Sequence, residues 1–288
     1  MIENQKPAYI ITVRDNFWNF LIDESGAGRL YESKIYRSPV VKSIGLTANA
    51  AEGTIYASGI VYDTVRKVQG ADIALGAVAL DHNLLDKASG ASAAGGFVFD
   101  KSTDFGKEFA FGYYLELRNG EYVYYWHPRC LLTQADESAE TSTDSTPDPN
   151  RSFTIKALPT VEGVWRVRYH TEGQAEPLTP EAFFAFCRYT DNVQATGLTL
   201  GTAKVGTACA ASVTYADSAS PANPTISYTW LIGDSADGDF AAISGATSAS
   251  YTPVAGNASK YLKCRAVISG SAVGYVESAA ALVAAAGA

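Results

Sequence analysis

Apolar positions along much of this chain recur every second residue. Phe153, Ile155 and Ala157 alternate with Ser152, Thr154 and Lys156, and Trp165, Val167 and Tyr169 alternate with Arg166, Arg168 and His170. That period predicts half-buried strands rather than helices. Tyr9–Val13, Phe17–Ile22, Val41–Leu46, Thr54–Val61, Ala71–Leu80 and Arg129–Thr133 add further runs rich in β-branched and aromatic residues, separated by Gly-containing turns such as Ser25–Gly28. The densest aromatic stretch is Phe109–Leu117 and Glu121–Trp126, joined through Asn119-Gly120. Asn-Gly between two such runs predicts a two-residue hairpin turn, with Arg118 opposite Glu121, Leu117 opposite Tyr122, Leu115 opposite Tyr124 and Tyr113 opposite Trp126. The other face then pairs Glu116 with Val123 and Tyr114 with Tyr125. Both faces carry apolar groups and need cover, from the chain itself or from a neighbour.

Two short segments carry helix signals instead. Asp81 is placed to cap a helix through Leu84, Leu85 and Lys87 that Gly90 ends. Thr179, Pro180 and Glu181 form a second start, predicting a helix over Ala182–Tyr189 whose aromatic residues pack on a sheet. Ala91–Gly96 reads as a surface loop. Between Thr133 and Arg151 lies a Ser/Thr/Asp/Pro stretch too polar to fold by itself. Its acids Asp136, Glu137, Glu140, Asp144 and Asp148 are read as an inter-subunit loop, because structureless loops beyond about 12–15 residues inside a domain tend to be functional or disordered. A solvated loop is the plainer alternative.

The chain changes character near residue 192. Of its 30 acidic and 22 basic residues, 25 and 18 precede that point, and the C-terminal remainder is dominated by Ala, Ser, Thr and Gly. The expected organisation is a domain over 1–192, a linker at 193–197 and a second domain over 198–288. In the latter, Cys209, Ala211 and Val213 share a face, as do Ile226, Tyr228, Trp230 and Ile232, and Leu262, Cys264, Ala266 and Ile268. The order Cys209, Trp230, Cys264 is that of an immunoglobulin-type core, although Leu262 stands where such domains carry a tyrosine. The pattern allows a Cys209–Cys264 bond, and a reducing cytoplasm disfavours one.

A formal net charge of −8 argues against a protein that grips nucleic acid by its phosphates. The N-terminus lacks the apolar core of an export signal, and no run is long enough to span a bilayer. His82, His127 and His170 have neither zinc-ligand spacing nor a nucleophile motif, and His127, before Pro128, is expected at the surface or in an interface. Asp63, Asp72 and Asp81 make no carboxylate pair. No catalytic, cofactor-binding or metal-ligating residue is assigned, and the chain is expected not to be an enzyme.

Residues 1 to about 192 resemble the major tail tube protein of long, non-contractile-tailed bacteriophages. The likeness is carried by Val41–Gly45, Glu52–Asp63, Ile73–Leu85, Phe109–Gly112 leading to Tyr122–Trp126, the loop Thr133–Asn150 and Phe153–Trp165, with Val61-Tyr62-Asp63-Thr64 departing from the usual pattern of Asp followed by Asn or Gly. The remainder resembles bacterial Ig-like modules through Tyr228–Trp230, Ile243–Thr247, Ser250–Pro253 and Lys260–Cys264. The resemblance implies a mainly β fold: a sandwich- or barrel-like tail tube domain with one or two short helices, and an Ig-like β-sandwich. It implies a virion protein, assembled in the host cytoplasm, that polymerises as stacked, hexameric rings into the tube conducting double-stranded DNA. Its partners would be itself and the tape-measure and tail terminator or tip proteins, with DNA passing unbound and no membrane involved. The alternative is a bacterial surface or carbohydrate-binding protein working through its Ig-like module.

Overall fold

A computed structural model describes residues 8–57, 60–94, 96–133 and 151–287. The protein is mainly antiparallel β, as the period-two pattern requires. Its internal contacts define two compact units, one of residues 1–21 and 32–189 and the other of 22–31 and 190–288.

The first unit is built on one large sheet. The strands of that sheet are β1 (Ile10–Ser25), β2 (Gly28–Tyr31), β3 (Tyr36–Ser38), β4 (Val41–Ala57), β5 (Ile60–Ala77), β8 (Phe109–Leu117), β9 (Tyr122–Thr133), β10 (Arg151–Ala157) and β11 (Val167–His170), of which β1 beyond Leu21 and all of β2 belong to the second unit. The order is β2-β1-β8-β9-β10-β5-β4, with β3 on β1 and β11 on β9. A minor hairpin, β6 (Ser92–Ala94) with β7 (Phe97–Phe99), lies apart from it. Ser92–Ala94 was expected as loop; short pairing to the aromatic run Phe97–Phe99 makes it strand.

One sheet face carries the core: Trp18, Phe20, Ile73, Leu75, Phe109, Phe111, Phe153 and Ile155, closed by Leu84 and Ala88 of α1 (His82–Ser89). Asp81 accepts the Asn83 N–H, and Gly90 adopts φ 81° at the far end, so this helix starts and stops as its sequence signals say. The opposite face is covered by the chain itself. The ring of Phe184 stacks on Phe17 at 3.9 Å, and Phe183 lies 5.2 Å from Tyr124. Gly112 makes room for this layer: a Cβ there would come within 2.8 Å of Phe184 and 2.9 Å of Trp126. The helix predicted over Ala182–Tyr189 is a single turn, α2 (Pro180–Phe183), capped by Thr179. Seating two consecutive aromatics on the sheet takes precedence over helix continuation.

The Asn119-Gly120 hairpin forms with a different turn. Leu117 and Glu121 are joined through Leu117 N–H to Glu121 C=O at 2.8 Å, and Gly120 takes φ 82° as the last of three loop residues. The register therefore slips by one: Leu115 faces Val123, Tyr113 faces Tyr125, and Tyr114 faces Tyr124. Such a slip exchanges the faces of one strand, so Trp126 points toward Phe184 instead of lying opposite Tyr113. Strand β9 also runs on through Pro128, where Pro128 and Arg129 together oppose the single residue between Phe109 and Phe111. A bulge is one of the few places a strand tolerates proline.

The second unit is a sandwich. Strands β12 (Ala195–Leu200), β13 (Cys209–Tyr215) and β16 (Ser250–Tyr251) form one sheet. The other is β14 (Thr225–Gly233), β15 (Phe240–Ala242), β17 (Tyr261–Ser269), β18 (Gly274–Glu277) and β19 (Ala281–Leu282). Cys209, Trp230, Leu262, Cys264, Ala266 and Ile268 form its core, and Trp230 Nε1 donates to Ser248 C=O at 2.9 Å. Cys209 and Cys264 are free, buried thiols, and burial pushes Cys264 up to about 12. The unit also includes the Ile22–Tyr31 hairpin. Tyr275 donates to Asp23 at 3.0 Å, and Gly28 approaches Gly274 so closely that a Cβ would lie 2.9 Å from its carbonyl.

Candidate assembly surface

Strands β4 and β5 continue past the body of the first unit as a two-stranded arm. Up to Gly70 the pair belongs to the sheet, since β10 covers β5 only from Ala71 to Ala77. Beyond it, among the described residues β4 and β5 pair only with each other, from Ala50 opposite Val68 to Ala57 opposite Ile60. At about 3.4 Å per residue the segment Ile60–Gln69 extends roughly 30 Å. Every side chain described from Tyr62 to Gln69 is exposed, among them Tyr62 at 77% and Val65 at 53%, with Ile60 at 69%. A hairpin with both faces in water is marginal by itself. The base of the arm is fixed by Gly70, at φ 139°, where a Cβ would strike the Ala157 carbonyl at 2.3 Å.

Near this base the sheet leaves a cleft. Ile10–Val13 of β1 form one wall, Lys42–Ile44 and Leu46 of β4 the other, and Tyr113, Leu115, Tyr125 and Arg166 also line it, enclosing about 480 Å³. Both walls are strand edges. Among the described residues no strand pairs with β1 between Ile10 and Arg14 on the side away from β8, and none pairs with β4 on the side away from β5. Open edges of this kind are templates for further strands. The rings of Tyr113 and Tyr125 stack at 4.8 Å, and Arg166 lies 4.5 Å from the Trp165 ring. Burial, then the neighbouring Arg168, push the Arg166 guanidinium down, and among the described residues no carboxylate pairs with it.

Against models of known protein families and against curated proteins, the chain matches none.

The residues singled out as chemical candidates do not converge. Asp63 is exposed on the arm, Asp72 accepts from Asn49 at 3.1 Å, and Asp81 caps α1. His82 and His170 are exposed. His127 is fully buried, contrary to its expected surface position, because β9 continues through the bulge and keeps its ring against Tyr113. Its Nδ1 lies 3.2 Å from the Trp165 carbonyl, which can only accept, so Nδ1 carries the proton; Nε2 is buried without a partner among the described residues. Burial lowers this imidazole to about 3, so it is neutral at pH 7. No group of His, Cys, Asp and Glu suited to a metal occurs among the described residues, and none of their helices is long and apolar enough to cross a membrane. The acids expected to form an inter-subunit loop, Asp136, Glu137, Glu140, Asp144 and Asp148, lie outside the described residues.

The arm and the cleft were not foreseen. Ile60 fell within the expected strand Thr54–Val61, whereas Tyr62, Val65 and Val68 lay outside every expected strand, and an open sheet edge is a product of topology that no local motif marks.

Proposed function

We propose that this chain is a structural subunit that polymerises with copies of itself into stacked rings forming a phage tail tube. The observation that carries this reading is the exposed β4–β5 arm. A long hairpin with apolar side chains and no partner among the described residues is suited to a neighbouring subunit, which would bury what those residues leave in water. The open edges of β1 and β4 support it further, since edge pairing supplies backbone hydrogen bonds for a ring. Ring closure through unlike surfaces is the heterologous arrangement of cyclic assemblies.

The resemblance of residues 1 to about 192 to major tail tube proteins supplies the hexameric ring, the virion tail as the location and the tape-measure and terminator or tip proteins as further partners. The acid excess of the same region suits a lumen that repels phosphate, so that double-stranded DNA passes without being held. The second unit, resembling bacterial Ig-like modules, decorates the outside of the tube and adheres weakly to cell-surface glycans. This role requires no chemistry from the chain.

Electron microscopy of the purified full chain, with sedimentation across a concentration series, tests the proposal. Tubes or stacked rings are expected. A species that stays strictly monomeric at every concentration overturns it.

A further inference from the structure

Strands β1 and β4 stand near opposite ends of the strand order, yet Ile10–Val13 of one and Lys42–Ile44 and Leu46 of the other line the same cleft. The sheet thus curls into an incomplete barrel, and the cleft is its seam. Barrel mouths are frequent places for small ligands, and a volume of about 480 Å³ lies within the range of such sites. Two chemistries meet there. Val13, Ile44, Leu46 and Leu115 pack on the core from one side and open to the cleft on the other, while Ile10 and Ile11 of the wall are 57% and 56% exposed. Beside these apolar groups stand the guanidinium of Arg166 and the hydroxyls of Tyr113 and Tyr125, electrostatic neighbours of one another. All three can donate hydrogen bonds, and among the described residues none of them has an acceptor. Lys42 adds a second positive charge, and no acidic residue is among those lining the cleft.

We propose that the cleft binds a free amphipathic carboxylate, its head on Arg166 and the two tyrosine hydroxyls and its alkyl tail along Ile11, Val13, Ile44 and Leu46. The head supplies the acceptor that the three donors lack, and a carboxylate can take two parallel hydrogen bonds from one guanidinium. The tail removes the wall's isoleucines from water, which is the larger part of the binding. Neither half of the ligand suffices alone. A bare anion leaves the apolar wall wet, and an alkyl cation sets its charge against Arg166 and Lys42. The site lies within a single chain, so it goes beyond the self-assembly reading and does not depend on it.

Isothermal titration calorimetry of the full chain, kept below the concentration at which it assembles, tests the site. The probes are sodium decanoate, sodium acetate and decyltrimethylammonium bromide, each below its own micelle concentration. Decanoate should bind saturably, one molecule to each chain, with acetate and the alkyl cation at least about tenfold weaker. Two variants locate the binding: Arg166→Gln removes the charge that meets the head, and Ile11→Glu sets an acid on the wall at an exposed position where the fold tolerates it. Each should weaken decanoate at least about tenfold, while urea unfolding shows that the variant is still folded. Decanoate heats that never saturate, equal affinity for acetate or for the alkyl cation, or unchanged affinity in either folded variant overturns the site. So does a chain that sediments with phosphatidylglycerol vesicles but leaves decanoate unbound, since the cleft would then meet a lipid surface instead of a free amphiphile.

Discussion

Strand β5 passes through two different environments. From Ala71 to Ala77 it is an interior strand: Ala71, Ile73, Leu75 and Ala77 are fully buried between β4 and β10. From Ile60 to Gln69 it keeps a similar share of β-branched and aromatic residues, yet those described are exposed. The inner half is explained by the folded chain alone. The outer half is not, because burial is what stabilises a strand of such composition. Among the described residues nothing covers Ile60, Tyr62, Val65 and Val68.

The sharpest test sets one half of the strand against the other. Ile73→Ala should cost about 2–5 kcal/mol of stability in urea unfolding, as expected for a large-to-small change in a packed core. Val65→Ala should lie within about 0.5 kcal/mol of wild type under the same conditions, while weakening assembly. Equal losses would show that the arm is packed in the monomer and would erase the distinction.

Acid should act on the inner region through His127. Its folded-state value of about 3 lies below the ordinary 6.5, so above about pH 6.5 the group is neutral folded and unfolded and has no effect on stability. As pH falls from there toward 3, only the unfolded chain takes up the proton. Stability then declines by up to about 1.4 kcal/mol per pH unit. Chemical denaturation between pH 7 and 4 should show this slope, and His127→Phe, which keeps an aromatic ring against Tyr113, should reduce it. An unchanged slope would move the acid sensitivity elsewhere.

The smallest expected effect belongs to the arm. Arg66 and Glu52 approach to 3.4 Å across the two strands with both side chains more than 60% exposed. A double-mutant cycle to alanine should therefore yield only a few tenths of a kcal/mol in the monomer. A coupling near 2 kcal/mol would mean that the pair is already shielded from water.

Where structure follows from short-range chemistry, the sequence was readable. Asp81 and Gly90 delimit α1, and Phe153, Ile155 and Ala157 are the buried positions of β10, as their alternation predicts. The sandwich core around Trp230 likewise falls on the expected face. Errors came where two local solutions compete. Asn119-Gly120 suits a two-residue turn and also a three-residue one with glycine in the left-handed region, and tertiary packing of Trp126 on Phe184 accompanies the second. Pro128 looked like a strand boundary because the bulge that accommodates it depends on β8. The cleft left no trace in the sequence, for its two walls are far apart along the chain and meet only when the sheet curls. Only Thr54–Val61 of the arm was visible as strand, and not as exposed strand, since composition does not say where a strand's partner lies.

The hairpin Ile22–Tyr31 belongs to a unit whose other residues begin at Thr190. During synthesis at about 5–20 residues per second, the hairpin leaves the ribosome roughly ten to fifty seconds before the strand it packs with, Gly274–Glu277. Through that interval the backbone of Gly28 waits for Gly274, and Asp23 for the hydroxyl of Tyr275. The second unit is therefore the last part of the molecule that can be completed, and its completion needs a segment made near the start.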